Sequence, residues 1–369
     1  MISEPAISVS INPSYNKTAM PSRKKTTTHI VLLALIISVT PLPAVSKKKN
    51  KPKLSEQKTT TAQPEAVLWR NPADIASRNL FYGPGGQSDA PPAMFVFEKE
   101  DHKGSNPKFI VHDSSGIRWT LKLGYEARPE TAASRLVWAV GYFANEDYFL
   151  PEARIENLPP ELYRGQKYVE PGGLVRNARV KRHLDGEKDM GYWHWKHNPF
   201  TGTKELNGLR VMMALINNWD LKDDNTSIYQ EKHEEEPGIP LQIYMVSDVG
   251  SSFGTTGQSW TDKMTKGNLK SYRHSKFVIK ETADYIDFDV PTRPALNYLF
   301  ILHQYILDLQ SHWIGRHIPR ADVRWIGQIL ARLSPSQISD AFRAAGYSPE
   351  VVEGFTQVVE RRIALLDKM

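Results

Sequence analysis

The stretch Trp219-Asp220-Leu221-Lys222-Asp223-Asp224-Asn225-Thr226-Ser227-Ile228 decides how the rest of the chain is read. Leu206, Leu209, Met212, Met213, Leu215, Ile216 and Trp219 recur at steps of three and four, which predicts a buried helix running from Thr203 into this stretch. Asn225 to Tyr229 is strand-like and leaves it, Glu231 to Gly238 is an acidic hairpin turn, and Leu241 to Val246 returns. The return ends at Val246-Ser247-Asp248-Val249-Gly250. Asn225 and Asp248 therefore sit at corresponding ends of one hairpin, where two hard oxygen ligands can meet one cation.

Asp220-Leu221-Lys222-x-x-Asn225 followed by Asp248-x-Gly250 resembles the catalytic loop and metal-binding motif of the protein-kinase-like fold. The resemblance implies that Asp220 takes a proton from an acceptor hydroxyl, that Asn225 and Asp248 hold Mg2+, and that Lys222 neutralises charge near the transferred phosphate. This residue set suits phosphoryl transfer, in which positioning and charge neutralisation do most of the catalysis. The implied cofactors are ATP and Mg2+, and the implied fold class is α+β, with a small β-rich lobe and a larger helical one.

Upstream, Met94–Phe97, Lys108–Val111 and Ile117–Leu123 read as three strands joined by tight turns, with Lys122 on the third. A helix opens at Arg128-Pro129-Glu130, with Leu136, Val137, Val140 and Phe143 on its apolar face. This order resembles the start of a kinase small lobe. It implies that Lys122 contacts the nucleotide phosphates and pairs with Glu130, with Glu126 as the alternative. The first turn, Asp101–Pro107, lacks G-x-G-x-x-G; Gly104 and Ser105 are the residues there that can offer backbone N–H groups to phosphate. Glu130 to Ile155 also resembles the matching stretch of HipA-like kinases, a helix followed by a proline-containing strand.

The resemblance covers roughly residues 90–255 and departs from the eukaryotic pattern. Asn218-Trp219-Asp220 stands in place of His-Arg-Asp, Val249 in place of Phe, and no Ala-Pro-Glu follows. These departures point to the atypical branch that holds HipA-like, phosphatidylinositol-kinase-like and secretory-pathway kinases. Leu174–Leu184 reads as the last strand of the first lobe, which spans 65–184; the second lobe spans 185–369. His194, His197 and Asp189 do not have the spacing of a tight metal site. Beyond Gly254, helices are expected over 294–314, 321–333, 337–345 and 349–366.

The chain has 369 residues, of which 40% are hydrophobic, enough for one large or two closely packed domains. Its formal charge of +6 is unevenly spread. Residues 1–64 hold ten Lys or Arg against two Glu, so the other 305 carry a net −2. The basic character belongs to the tail and gives no reason to expect nucleic acid as a partner. With no cysteine, disulfides, thiolate metal sites, Cys nucleophiles and a lipoprotein anchor are excluded.

Arg23-Lys24-Lys25, the apolar run Ile30–Val39 and the small residues Ala44 and Ser46 read as a secretory signal peptide over 1–46, with Met20 as an alternative start. The run is shorter than the ~20 residues that a membrane span needs. Residues 47–64 read as a disordered basic linker. The expected address is extracytoplasmic, secreted or periplasmic, with an uncleaved anchor as the alternative and the membrane a partner only then.

Three functions compete at this point: an exported kinase, a pseudokinase acting as a binding module, and a non-kinase structural protein. The last predicts no cleft that joins Lys122, Asp220 and Asp248. The acceptor, whether protein, lipid head group or small molecule, has no readable code.

Overall fold

The structure, a computed structural model, describes residues 64–104, 106–184, 186–232, 239–255, 265–290 and 311–369. The signal-peptide reading, the linker, Ser105, most of the acidic turn and the helix expected over 294–314 (to residue 310) lie outside the described residues.

The chain enters with β1 (Glu65–Val67). The small lobe then forms from β2 (Met94–Asp101), β3 (Lys108–His112) and β4 (Arg118–Lys122), the three strands expected. Side chains alternate along each strand, so Trp119 and Leu121 point inward with Phe95, Phe109 and Val111. The other face of β4 carries Thr120 and Lys122. The turn before β4 is fixed by Asp113, whose Oδ1 accepts from Ser115 N (2.8 Å) and Ile117 N (2.9 Å). Its Oδ2 accepts from Trp119 Nε1 (3.0 Å).

Helix α1 (Ala127–Ala139) follows, then β5 (Asp147–Glu156), the short β6 (Val169–Glu170) and β7 (Leu174–Arg182). The strands run β4-β3-β2-β5-β7, and β7 pairs back onto β4, which closes a five-stranded ring. All neighbours are antiparallel except β2 and β5. Closure seals a core completed by Tyr148, Ile155, Val175 and Val180, with the short β6 paired only to β7.

The large lobe is built on α2 (Lys204–Leu215), which follows the short β8 (Lys188–Asp189). Thr203 caps α2, its Oγ1 accepting from Leu206 N at 3.2 Å. The apolar period continues to Trp219, yet the helix stops at Leu215. Asn217 adopts φ +56°, Asn218 N donates to Met213 O (2.9 Å) and Asn217 N to Ala214 O (3.1 Å). This is a Schellman ending with asparagine in the left-handed position, and it swings the chain out of the helix ahead of Asp220.

Strands β9 (Thr226–Lys232) and β10 (Pro240–Val246) form the expected hairpin, with Thr226 opposite Val246. β1 pairs in parallel with β10, Glu65 opposite Leu241. Leu68, Ile75 and Leu80 share a core with α1 and α2, outside the core of the small-lobe ring. A single 3-10 turn at Ile75–Ser77 follows Asp74.

Helix α3 (Leu269–His274) leads to β11 (Val278–Glu281) and β12 (Tyr285–Phe288), strands the sequence reading left unassigned, and then β13 (Ile318–Pro319). Helices α4 (Arg320–Leu330), α5 (Pro335–Ala344) and α6 (Pro349–Asp367) close the lobe. Ser334 and Gln337 form a capping box on α5, with Pro335 in its first turn. Among the described residues no helix is long and apolar enough to cross a membrane.

Candidate functional site

Lys122, at the end of β4, carries its ammonium into the space between the lobes and is 3% exposed. Its Nζ lies 2.6 Å from Glu126 Oε2, 2.9 Å from Glu130 Oε2 and 3.2 Å from Asp248 Oδ2. Both glutamates proposed as partners are therefore engaged at once. They reach Lys122 because α1 begins immediately after β4 and places residues 126 and 130 one turn apart on the same face. Glu126, Glu130 and Asp248 bring oxygens within 4.8 Å of one another, a spacing that would suit a metal ion. The cation at their centre is Lys122 itself.

A second buried cation, Arg179 of β7, donates from Nη2 to Glu130 Oε1 at 2.9 Å and stands 3.4 Å from Asp147 Oδ1. It faces Lys122 directly in the β4–β7 register. Burial pushes Glu130 up to about 7, against the pull of Arg179 and Lys122. For Glu126, Lys122 and Lys266 outweigh burial and hold the carboxyl well below its ordinary range. Burial works to lower Lys122, but Asp248, Glu130 and Glu126 keep it well above the usual lysine value. All three shifts come from ions held out of water beside opposite charge.

The loop that follows α2 is fixed by its own backbone. Trp219 N donates to Ser251 O (3.2 Å) and Phe253 N to Ile216 O (2.8 Å), which ties residues 216–219 to the segment after Asp248. Asp220 N donates to Asn218 Oδ1 (3.0 Å), and Asp220 O accepts from Asn225 Nδ2 (2.6 Å). The Asp220 carboxylate contacts Lys222 Nζ at 2.8 Å. Asn225 O accepts from both Ser247 N (2.9 Å) and Asp248 N (3.1 Å), so the hairpin ends meet as expected. Gly250 is required by proximity, because a Cβ there would stand 2.8 Å from Glu126 Cβ.

The residues fit a divalent cation. The amide nitrogen of Asn225 is committed to Asp220 O, which leaves its Oδ1 as a hard donor. The Asp248 side chain is 41% exposed and open to the cleft. The structure thus brings Lys122, Glu130 and Asp248 together, with Asp220, Lys222 and Asn225 on the adjoining loop. Gly104 lies in the β2–β3 turn with φ +70° and gives its carbonyl to Arg164. That turn shares an end of the ring with Lys122, since Leu123 N donates to Pro107 O at 3.0 Å.

Three participants went unread in the sequence: Arg179, Asp147 and Lys266. Arg179 had one usable signal, a cation flanked by Ala178 and Val180 on a strand already expected beside the cleft. His194 is hydrogen-bonded through Nδ1 to Asp223 Oδ2 (2.7 Å) and takes no part in a metal cluster among the described residues. Thr226, buried under this loop, accepts from Trp193 N (2.9 Å) and can donate to Asp223 O (2.7 Å). Thr226→Val should therefore cost about 1–3 kcal/mol through the stranded Trp193 N–H, measured as a lower urea midpoint at unchanged slope.

No protein-family model matches the chain, and no curated protein matches it in sequence. Solved structures similar to it include the proinflammatory kinase CtkA of Helicobacter pylori, at 10% identity and TM-score 0.44 over 75% of this chain and 97% of that one. The Rio2 kinase of Chaetomium thermophilum is similar at 11% identity and TM-score 0.31, over 72% and 71% of the two chains. A Golgi casein kinase is similar at 10% identity and TM-score 0.29, over 79% and 78%. The chain's own topology carries the fold: a closed small-lobe ring faces a helix, loop and hairpin across a cleft, and an ammonium group joins the two sides. The fold is α+β and bilobal, and it keeps the order of elements on which the resemblance to the protein-kinase-like fold rests.

Proposed function

We propose that the protein is an exported phosphotransferase of atypical kinase class, which moves a phosphoryl group from ATP to a hydroxyl acceptor with Mg2+. The observation that carries this reading is Lys122, held between Glu130 of the small lobe and Asp248 of the large one. Export rests on the amino-terminal 46 residues alone.

Glu126 and Glu130 hold the Lys122 ammonium where nucleotide phosphate oxygens can replace Asp248 as its third partner. That exchange frees the Asp248 carboxylate toward the cleft beside Asn225 Oδ1. Mg2+ held by these two oxygens would supply charge neutralisation at the transferring phosphoryl group. Asp220 accepts the proton of the acceptor hydroxyl, and Lys222, 2.8 Å away, orients that carboxylate and stands ready for developing negative charge. Beside the loop lies a cavity of about 470 Å3, lined in part by Tyr192, Trp195, His197, Lys222, Asp224 and Trp313. Its position suits the acceptor, and its size lies within the range of small-molecule sites.

A second reading, a pseudokinase binding module, is favoured by the β2–β3 turn, which holds one glycine and lacks G-x-G-x-x-G. The full chain melted with and without ATP and Mg2+ separates the two in part. At 100 times the dissociation constant, binding adds about 2.7 kcal/mol, a rise of roughly 5 °C for a chain of this size. Asp248→Ala should abolish the metal-dependent part of that rise. No shift in the native protein at millimolar nucleotide would defeat the kinase reading; a shift without transfer to any hydroxyl acceptor would favour the pseudokinase.

A further inference from the structure

Lys266 lies beyond Asp248, in the segment that leads to α3. Its Nζ is 2.6 Å from Glu126 Oε1, while the other oxygen of Glu126 is 2.6 Å from Lys122 Nζ. One carboxylate is thus spanned by two ammonium groups, one from each lobe. The side chains of Lys266, Glu126 and Lys122 are 10%, 6% and 3% exposed, so water does not substitute readily for either partner.

The same ammonium stands 5.5 Å from the centroid of the Trp219 ring, within cation–π range. Trp219 immediately precedes Asp220, and its Nε1 donates to Thr265 O at 3.1 Å. The backbone on the far side is tied down by Gly267 N to Ser252 O (2.9 Å) and Asn268 N to Phe253 O (2.7 Å). Lys266 therefore touches the side chain that orders Lys122 and the residue that leads into Asp220.

We propose that Lys266 is a positioning residue that couples Lys122 on β4 to the Asp220 loop through Glu126 and Trp219. Glu126 loses half its neutralising charge when Lys266 is removed, and its remaining bond to Lys122 no longer has an anchor in the large lobe. The Trp219 ring loses the cation that fixes its face. Both ends should loosen together, although they are nearly a hundred residues apart in sequence. The effect on transfer rests on the kinase reading; the coupling does not.

The decisive measurement is amide hydrogen exchange of the nucleotide-free full chain, comparing the native protein with Lys266→Met and Lys266→Arg. Exchange over 122–130 and over 217–222 should both rise about tenfold in Lys266→Met, with α6 unchanged, and return in Lys266→Arg. If transfer is detectable, kcat should fall about tenfold or more, with less than about threefold change in nucleotide affinity. Exchange that rises only at 265–268 would overturn the proposal, whatever the activity. Lys266→Gln, which keeps a donor without the charge, is read in the same way if the Met variant does not fold. Failure of both to fold, with Lys266→Arg intact, would reduce Lys266 to a structural ion pair and end the proposal. A native protein that neither binds nor transfers nucleotide phosphate would defeat the kinase reading and leave the exchange result standing.

Discussion

Lys122→Met should lower stability by about 3–5 kcal/mol at neutral pH, the usual cost of stripping one partner from a buried ionic cluster. It should also abolish the nucleotide-induced rise in melting temperature. The variant leaves Glu126, Glu130 and Asp248 facing one another with oxygens within 4.8 Å and the central cation gone.

The sign of the pH dependence follows from the same groups. Glu130 is raised from 4.5 to about 7, so its contribution is fully present below 4.5 and is lost as pH rises through about 7. Glu126 is lowered, so its contribution is present above 4.5 and is lost on acidification. Removing Lys122 weakens the second effect and strengthens the first. The stability gap between native and variant should therefore be wider at pH 8 than at pH 5 in urea unfolding. An equal gap at both values would show that Lys122 does not compensate these carboxylates.

Asp220→Asn should reduce kcat by about 10²- to 10⁴-fold, the range for loss of a general base. Nucleotide affinity and stability should stay close to native. The separation is expected because the Asp220 backbone is held independently of its carboxylate, by Asn218 Oδ1 and Asn225 Nδ2. The amide keeps the shape of the side chain and loses only the proton acceptor and the charge facing Lys222. Transfer within about fivefold of native would remove Asp220 from the catalytic role. Weakened nucleotide binding would place it among the binding residues instead.

Much of the site was legible because its parts are close in sequence. Asp220 and Asn225 lie on one loop, and Asn225 and Asp248 close one hairpin. Lys122 and Glu130 are eight residues apart, across a strand end and a helix start that each have local signals. Arg179 reaches the site through strand register, opposite Lys122, and Lys266 through backbone bonds of Gly267 and Asn268 to Ser252 and Phe253. Strand register leaves Arg179 one local mark, the flanking apolar residues Ala178 and Val180, and Lys266 has none.

The end of α2 was misread for a different reason. Apolar periodicity runs through Ile216 to Trp219, but Asn217 tolerates a left-handed backbone and ends the helix there. Residues 65–67 pair in parallel with β10, and Trp69 and Arg70 bond to the end of α1, so this entry segment touches both lobes. Parallel pairing depends on distant chain segments and has no turn to announce it.

That pairing has a mechanical side. β1 lies along β10, and β10 runs straight into Asp248. A pull applied at the amino end of the fold would load this ladder in shear, along the strand that ends at the candidate metal ligand. The residues that follow β1 are bonded to the end of α1, through Trp69 to Val140 O and Arg70 to Gly141 O, so tension entering at the amino end would be shared between the strand that leads to Asp248 and the helix that carries Glu130.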